Sequence, residues 1–142
     1  MKRFLLVPLV LAVLAVPIAG IAATSAPSAQ TVALAIKSDT EHARKGPDGK
    51  WHDAYLPAGF TVRAGRTVRV TLSNYDTAPH TFTAPGLRVN VIVAAGSAAR
   101  PATATFTFTA SKAGSYRWRC LGNCDPWAMS HLGFMTGIVR VV

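Results

Sequence analysis

The sequence predicts an all-β fold, a Greek-key β-sandwich of seven to eight strands, on three observations. Short runs alternate apolar and polar residues with period two, turn-forming residues punctuate them, and no segment sustains an apolar stripe at helical spacing. In chain order the runs are Val32, Leu34 and Ile36; Phe60 and Val62; Val68, Val70 and Leu72; Val89, Val91 and Val93; Phe106 and Phe108; Tyr116 and Trp118; and Ile138 and Val142. The clearest are 67–73, with Val68, Val70 and Leu72 on one face, and 103–109, where threonine alternates with Ala104, Phe106 and Phe108. Such faces bury against a second sheet. Between them lie GPDG at 46–49, LPAG at 56–59, RAGR at 63–66, APG at 84–86, AAG at 94–96 and KAG at 112–114. Residues 39–54 are the exception. They are polar and turn-rich, carry His42 and His52 beside Glu41 and Asp53, and are expected to form a solvated excursion between the first two strands.

The length, 142 residues, suits one domain. Half of the residues are hydrophobic and 15% charged, an imbalance concentrated in the apolar block Phe4 to Ala23. Lys2 and Arg3 precede that block and Ala22, Ala23, Thr24, Ser25 and Ala26 close it, the layout of an export signal. Residues 1–26 are therefore expected to be a signal peptide, or an uncleaved anchor, since about 20 apolar residues can span a bilayer. Residues 27–30 read as a linker and 31–142 as the folded domain. The folded part is expected outside the cytoplasm: periplasmic, extracellular, or anchored on the outer face of the cytoplasmic membrane, with membrane association through the N-terminal segment.

Setting aside Lys2 and Arg3 leaves 13 of the 15 basic residues against 6 acidic ones, a net charge of +7. That favours acidic partners or anionic surfaces. The basic residues are scattered singly without interleaved aromatics, which excludes a nucleic-acid partner. No Ser/His/Asp arrangement, phosphate-cradling glycine loop or paired catalytic carboxylates can be picked out, so an independent catalytic activity is not expected.

Outside the segment 39–54, the residues with affinity for soft metals fall at three places: His80; Cys120 and Cys124; His131 and Met135. Two cysteines in an exported chain pair by default as a disulfide. Thiolate, imidazole and thioether together suit copper, and the near absence of carboxylates from the set, Asp125 apart, argues against calcium or magnesium. In 114–120 the residues Tyr116, Trp118 and Cys120 share one strand face, so Cys120 leaves the end of a strand whose aromatic face is buried. Trp118 is expected in the core, and Trp127 beside the site.

His80-Thr81-Phe82 after Asn74-Tyr75-Asp76, then Gly114-x-Tyr116-x-Trp118-x-Cys120, then a Cys/His/Met loop running into a last strand with Gly137, resembles the cupredoxin family over roughly residues 54–142. The segment 62–68 is similar to that family's second strand and turn. The resemblance implies a cupredoxin-like sandwich that binds copper and transfers single electrons with a redox protein partner, which the net positive charge predicts to be acidic, and admits a component of a larger oxidase. Within the family, Cys120 and Cys124 resemble the binuclear CuA domain of cytochrome c oxidase subunit II and of nitrous-oxide reductase. Carried over, Cys120 and Cys124 bridge two coppers, His80 and His131 each cap one, and Met135 and the carbonyl of Gly122 are weak ligands. The gaps between the cysteines, His131 and Met135 are three, six and three residues, and the segment Asp125–Ser130 makes the middle gap longer than the family's. Three alternatives stay open: a mononuclear blue-copper protein, a periplasmic Cu(I) carrier, and a metal-free sandwich closed by a Cys120–Cys124 disulfide.

Overall fold

Alternation at period two leaves each strand with one apolar face, and the computed structural model, which describes residues 28–122 and 124–142, stacks those faces into a sandwich. The expected export segment, 1–26, lies outside the described residues. The strands are β1 (Gln30–Lys37), β2 (Arg44–Lys45), β3 (Trp51–His52), β4 (Ala54–Leu56), β5 (Gly59–Val62) and β6 (Thr67–Asn74). They continue with β7 (His80–Ala84), β8 (Val89–Val93), β9 (Ala102–Thr109), β10 (Gly114–Arg119) and β11 (Thr136–Val141), and before the last comes a short α-helix, α1 (Pro126–Ser130). Among the described residues, no helix is long and apolar enough to cross a membrane.

One sheet runs β4-β1-β6-β9 and the other β5-β11-β10-β7-β8, while β2 and β3 form a separate ribbon. Two pairings are parallel, β1 with β6 and β11 with β5. Burial follows the alternation: on β6, Val68, Val70 and Leu72 are buried while Thr67 and Arg69 are exposed. The two main sheets hold nine strands, more than the seven runs visible as alternation. The additions are β4, where Ala54 and Tyr55 are consecutive buried residues, and β7, whose inward face mixes His80 with Phe82 and Ala84. A polar residue on the buried face hides the period.

Aromatic rings fill the interior. Phe82 stacks on Trp118 at 4.8 Å, Tyr55 meets Trp118 at 4.6 Å, and Phe82 reaches across to Phe106 of the other sheet at 5.5 Å. The indole Nε1–H of the wholly buried Trp118 donates to the Ala58 carbonyl at 3.1 Å, so its one polar group is satisfied. Gly137 lies opposite Trp118 in the β10–β11 register, and a Cβ there would overlap the Ala58 carbonyl and crowd the indole nitrogen. The indole and the strand crossing are both seated on that missing side chain.

Gly137→Ala is therefore expected to destabilise the fold by about 1–3 kcal/mol, the usual cost of overpacking. Chemical denaturation measures it, and an unchanged midpoint would show that β11 yields freely.

Candidate metal centre

His80 opens β7 on the inward face and is wholly buried. The loop that delivers it, 75–79, hangs on the buried Asn74. Its Nδ2 donates to the carbonyls of Ala78 and Ala94, both at 2.8 Å, and its Oδ1 accepts from Asp76 N–H at 3.0 Å. The next layer is Gly96, whose N–H donates to the Asp76 carbonyl and whose position admits no Cβ because the Asn74 carbonyl occupies that space. So held, Asp76 places Oδ2 2.8 Å from His80 Nε2. The carboxylate accepts a proton-bearing Nε2, which assigns the ring's free lone pair to Nδ1.

Nδ1 faces sulfur, 3.2 Å from Cys124 Sγ and 3.8 Å from Cys120 Sγ. Cys120 follows β10 directly and donates its backbone N–H to the Met135 carbonyl at 2.8 Å. Thr81, next to His80, donates its N–H to Cys120 Sγ at 3.4 Å and accepts Leu121 N–H on its hydroxyl at 2.7 Å. The Thr81 carbonyl takes the hydroxyl of Tyr55 at 2.9 Å, and burial pushes that phenol far above its ordinary pKa. The two sulfurs are joined as a disulfide. The donor atoms of His80, Cys120 and Cys124, all buried, lie within 4.8 Å of one another. Asp53, Asp76 and His80 form a second such group on the Nε2 side. There burial raises the pKa of Asp53, the nearby Asp76 charge adding to it against a hydrogen bond from Asp39 N–H.

The other predicted site residues divide. Gly122 lies against the sulfurs, since a Cβ built on it would stand 3.7 and 3.8 Å from them. Met135 is wholly buried where its carbonyl ties Cys120 to the start of β11. His131 stands outside the three-residue group: its exposed ring stacks on Trp127, with centroids 3.6 Å apart, and its Nδ1 sits 2.7 Å from the Trp127 carbonyl. The cause is local. The segment after Cys124 coils into α1, because Asp125 caps it through Oδ1 to the N–H groups of Trp127 and Ala128, with Pro126 at its first position. His131 lies at the far end of that helix.

The same carboxylate corrects the reading of 39–54 as a solvated excursion. His52 is buried, with Nδ1 2.7 Å from Asp125 Oδ2 and Nε2 3.1 Å from Asp48 Oδ2, and its ring stacks on the other face of Trp127 at 3.8 Å. The β2–β3 ribbon is thus a strut clamped to α1. Burial alone would lower the His52 pKa, but the hydrogen bonds and charges of Asp125 and Asp48 together outweigh it and raise it. Asp48 and Asp125 are lowered in return, the His52 bond and backbone N–H bonds overcoming burial.

The residues missed from the sequence are Asn74, Asp76 and Thr81, which act on His80 and Cys120 rather than facing outward themselves. The one available signal was Asp76 four residues before His80. The donor set itself, two sulfurs and an imidazole nitrogen whose other nitrogen is fixed by a carboxylate, fits a soft or borderline metal such as copper better than a hard cation.

A family model described as a cupredoxin-like domain matches residues 9–127. No curated protein matches the chain. Among solved structures, the blue copper oxidase of Nitrosomonas europaea is 21% identical with a TM-score of 0.61, and covers 80% of this chain and 39% of its own. The multicopper oxidase mgLAC is 16% identical at a TM-score of 0.57, with 80% and 39% covered. The periplasmic domain of subunit II of cytochrome oxidase (CoxB) of Bradyrhizobium japonicum is 18% identical at 0.51, with 82% and 86% covered. These are likenesses of fold, and the chain spans well under half of either oxidase.

Two outcomes follow from the geometry. Asn74→Ala strips the Ala78 and Ala94 carbonyls of their donor and should lower stability by about 1–3 kcal/mol, measured by denaturant unfolding; a loss under about 0.5 kcal/mol would mean that water replaces the amide. For His52 the folded pKa lies above the unfolded value of 6.5, so its contribution is complete below that value and disappears as pH rises through the folded pKa. Thermal midpoints should therefore fall more between about pH 6 and pH 9 for the native chain than for His52→Gln. Parallel curves would remove His52 from the account.

Proposed function

Because the chain belongs to the cupredoxin-like domain family, we propose that it is an exported copper protein that passes single electrons, with Cys120, Cys124 and His80 holding the metal. The observation that carries this reading is the lone pair of His80 Nδ1 aimed at two buried sulfurs while Asp76 holds the other ring nitrogen. Copper, when bound, supplies a one-electron couple at this pole. The chain's own groups do the rest. Asp76 keeps the proton on Nε2 and so keeps Nδ1 available. Thr81 directs its N–H at Cys120 Sγ, which favours negative charge on that sulfur. Burial of all three donors keeps water away. Their supports are strand β7, the end of β10 and the segment before α1, anchored in one sandwich, so the donors are held in nearly the same place whatever the charge between them. Met135, buried beside Cys120's backbone, is the candidate weak ligand. The basic and apolar start of the chain supports export.

A second reading is favoured by one observation, the bond between the two sulfurs: a metal-free module closed by Cys120–Cys124. Reduction and copper reconstitution separate the two. The reduced protein should take up copper with strong thiolate-to-copper absorption when oxidised. Cys120→Ser and Cys124→Ser should each abolish it, while Met135→Leu should keep the metal and shift the potential. Electron-spin hyperfine lines beyond those of one copper nucleus would identify a shared two-copper centre. One copper that depends on a single cysteine would identify the blue-copper form, and colourless uptake the Cu(I) carrier. No uptake after reduction leaves the disulfide module.

A further inference from the structure

The outer face of the five-stranded sheet is charged with one sign. The register places Arg117 beside Ile138, Arg119 beside Thr136 and Thr83, and Arg140 beside Ser115 and Thr61, so these side chains share the face opposite the core. The three arginines are exposed. Strands β5, β7, β8, β10 and β11 contain no aspartate or glutamate. All six carboxylates of the chain, Asp39, Glu41, Asp48, Asp53, Asp76 and Asp125, lie in the segment 39–53 or in the loops around His80 and Cys124. The ion pairs among the described residues join aspartate to histidine, never to lysine or arginine. The arginine charges are therefore not neutralised within the chain and project outward.

The face is also shaped. Beside β10 lies a hollow of about 510 Å³ bordered by Arg117, Arg119, Met129 and Ser130, and across the β10–β11 ridge lies one of about 400 Å³ bordered by Arg44, Arg140, Leu132 and Ile138. Arg117 is held in place by Nε–H to Thr136 Oγ1 at 3.2 Å. Leu132, beside β5 and β11, and Ile92, on the opposite edge strand β8, are exposed apolar residues on this face. Planar guanidinium groups with apolar residues among them suit carboxylate side chains of a protein surface.

We infer that this face is the docking surface for an acidic protein, which meets the chain beside the centre formed by His80, Cys120 and Cys124. The surface and the centre adjoin: Arg119 precedes Cys120, and Met129 and Ser130 belong to the helix that follows Cys124. The strand β1 begins at the far pole, since Gln30 pairs with Val68 at the start of β6 while Asn74 at its end carries the His80 loop. Along β10 and β11 the arginines run from Arg119, next to Cys120, to Arg140, which lies opposite Ser115 toward the pole at which β1 begins. The purpose assigned to the surface rests on the copper reading; its charge recognition does not.

The test uses poly-L-glutamate as the probe and the full chain, metal-free and copper-loaded, at low and high salt. Replacing Arg117, Arg119 and Arg140 by Glu should weaken binding by about tenfold or more, with the salt dependence reduced, whereas replacing Arg66, Arg69 and Arg100 by Glu, an equal change of charge outside the five-stranded sheet, should cost less than about threefold. Replacement of the first three by Gln, with unfolding midpoints recorded for every variant, gives the same ranking if charge reversal impairs folding. Equal losses from both sets would overturn the surface in favour of diffuse attraction. Tighter, arginine-dependent binding to phosphatidylglycerol vesicles than to the polymer would overturn the acidic protein in favour of a membrane. Failure of the chain to bind copper would defeat the copper reading while leaving the ranking of these affinities intact.

Discussion

A wholly buried imidazole has to occupy both of its nitrogens, and His80 does so in two different ways. One nitrogen takes a carboxylate from its own loop and the other takes sulfur from across the sheet. An unpaired polar atom there would cost on the order of 1–3 kcal/mol, so the surrounding elements are arranged around this requirement. Asn74 closes the loop that brings Asp76 back under the ring, Thr81 brings the adjacent backbone N–H to Cys120, and Tyr55 secures the Thr81 carbonyl from the facing sheet. Removing any of these leaves a partly buried donor or acceptor without its protein partner.

The sandwich was legible where burial alone decides the pattern. On β6, β9 and β10 the inward residues are apolar or aromatic, the outward ones are threonine and arginine, and the period is visible. It was illegible at β7, where His80 takes an inward position, and at β4, which is too short to show a period. Of the site, His80, Cys120 and Cys124 come together as their order in the chain suggested. His131 does not join them, because the residues inserted before it fold as a capped helix, and neither the cap at Asp125 nor its direction follows from the length of the insertion. The contact between His52 and Asp125 joins residues 73 apart; no local pattern announces it, and polar composition pointed instead to a solvated loop.

Acids are scarce in this basic chain, and their placement is correspondingly selective. Asp76 orients His80, and Asp125 serves two functions at once, capping α1 through one oxygen and holding His52 through the other. Trp127 lies between His52 and His131, so the ribbon, the helix and the entry to β11 form one stack of rings. A segment that looks peripheral in the chain thereby supports the backbone on the C-terminal side of Cys124.

The position of β11 has a consequence for the order in which the molecule can be assembled. It is the last strand in the chain, yet it lies between β5 and β10, so β5 has no partner in its own sheet until residues 136–141 exist. The Met135 carbonyl that fixes Cys120 arrives with the same segment. A nascent chain can form the β1–β6–β9 layer earlier, but the facing sheet stays open between β5 and β10 until β11 is inserted, and such long-range closure is slow compared with local hairpin formation. The two sulfurs precede the scaffold that separates them from solvent, since β11 begins at Thr136, after Cys124, and until that strand is inserted their state is decided by the thiol chemistry around them rather than by the finished fold.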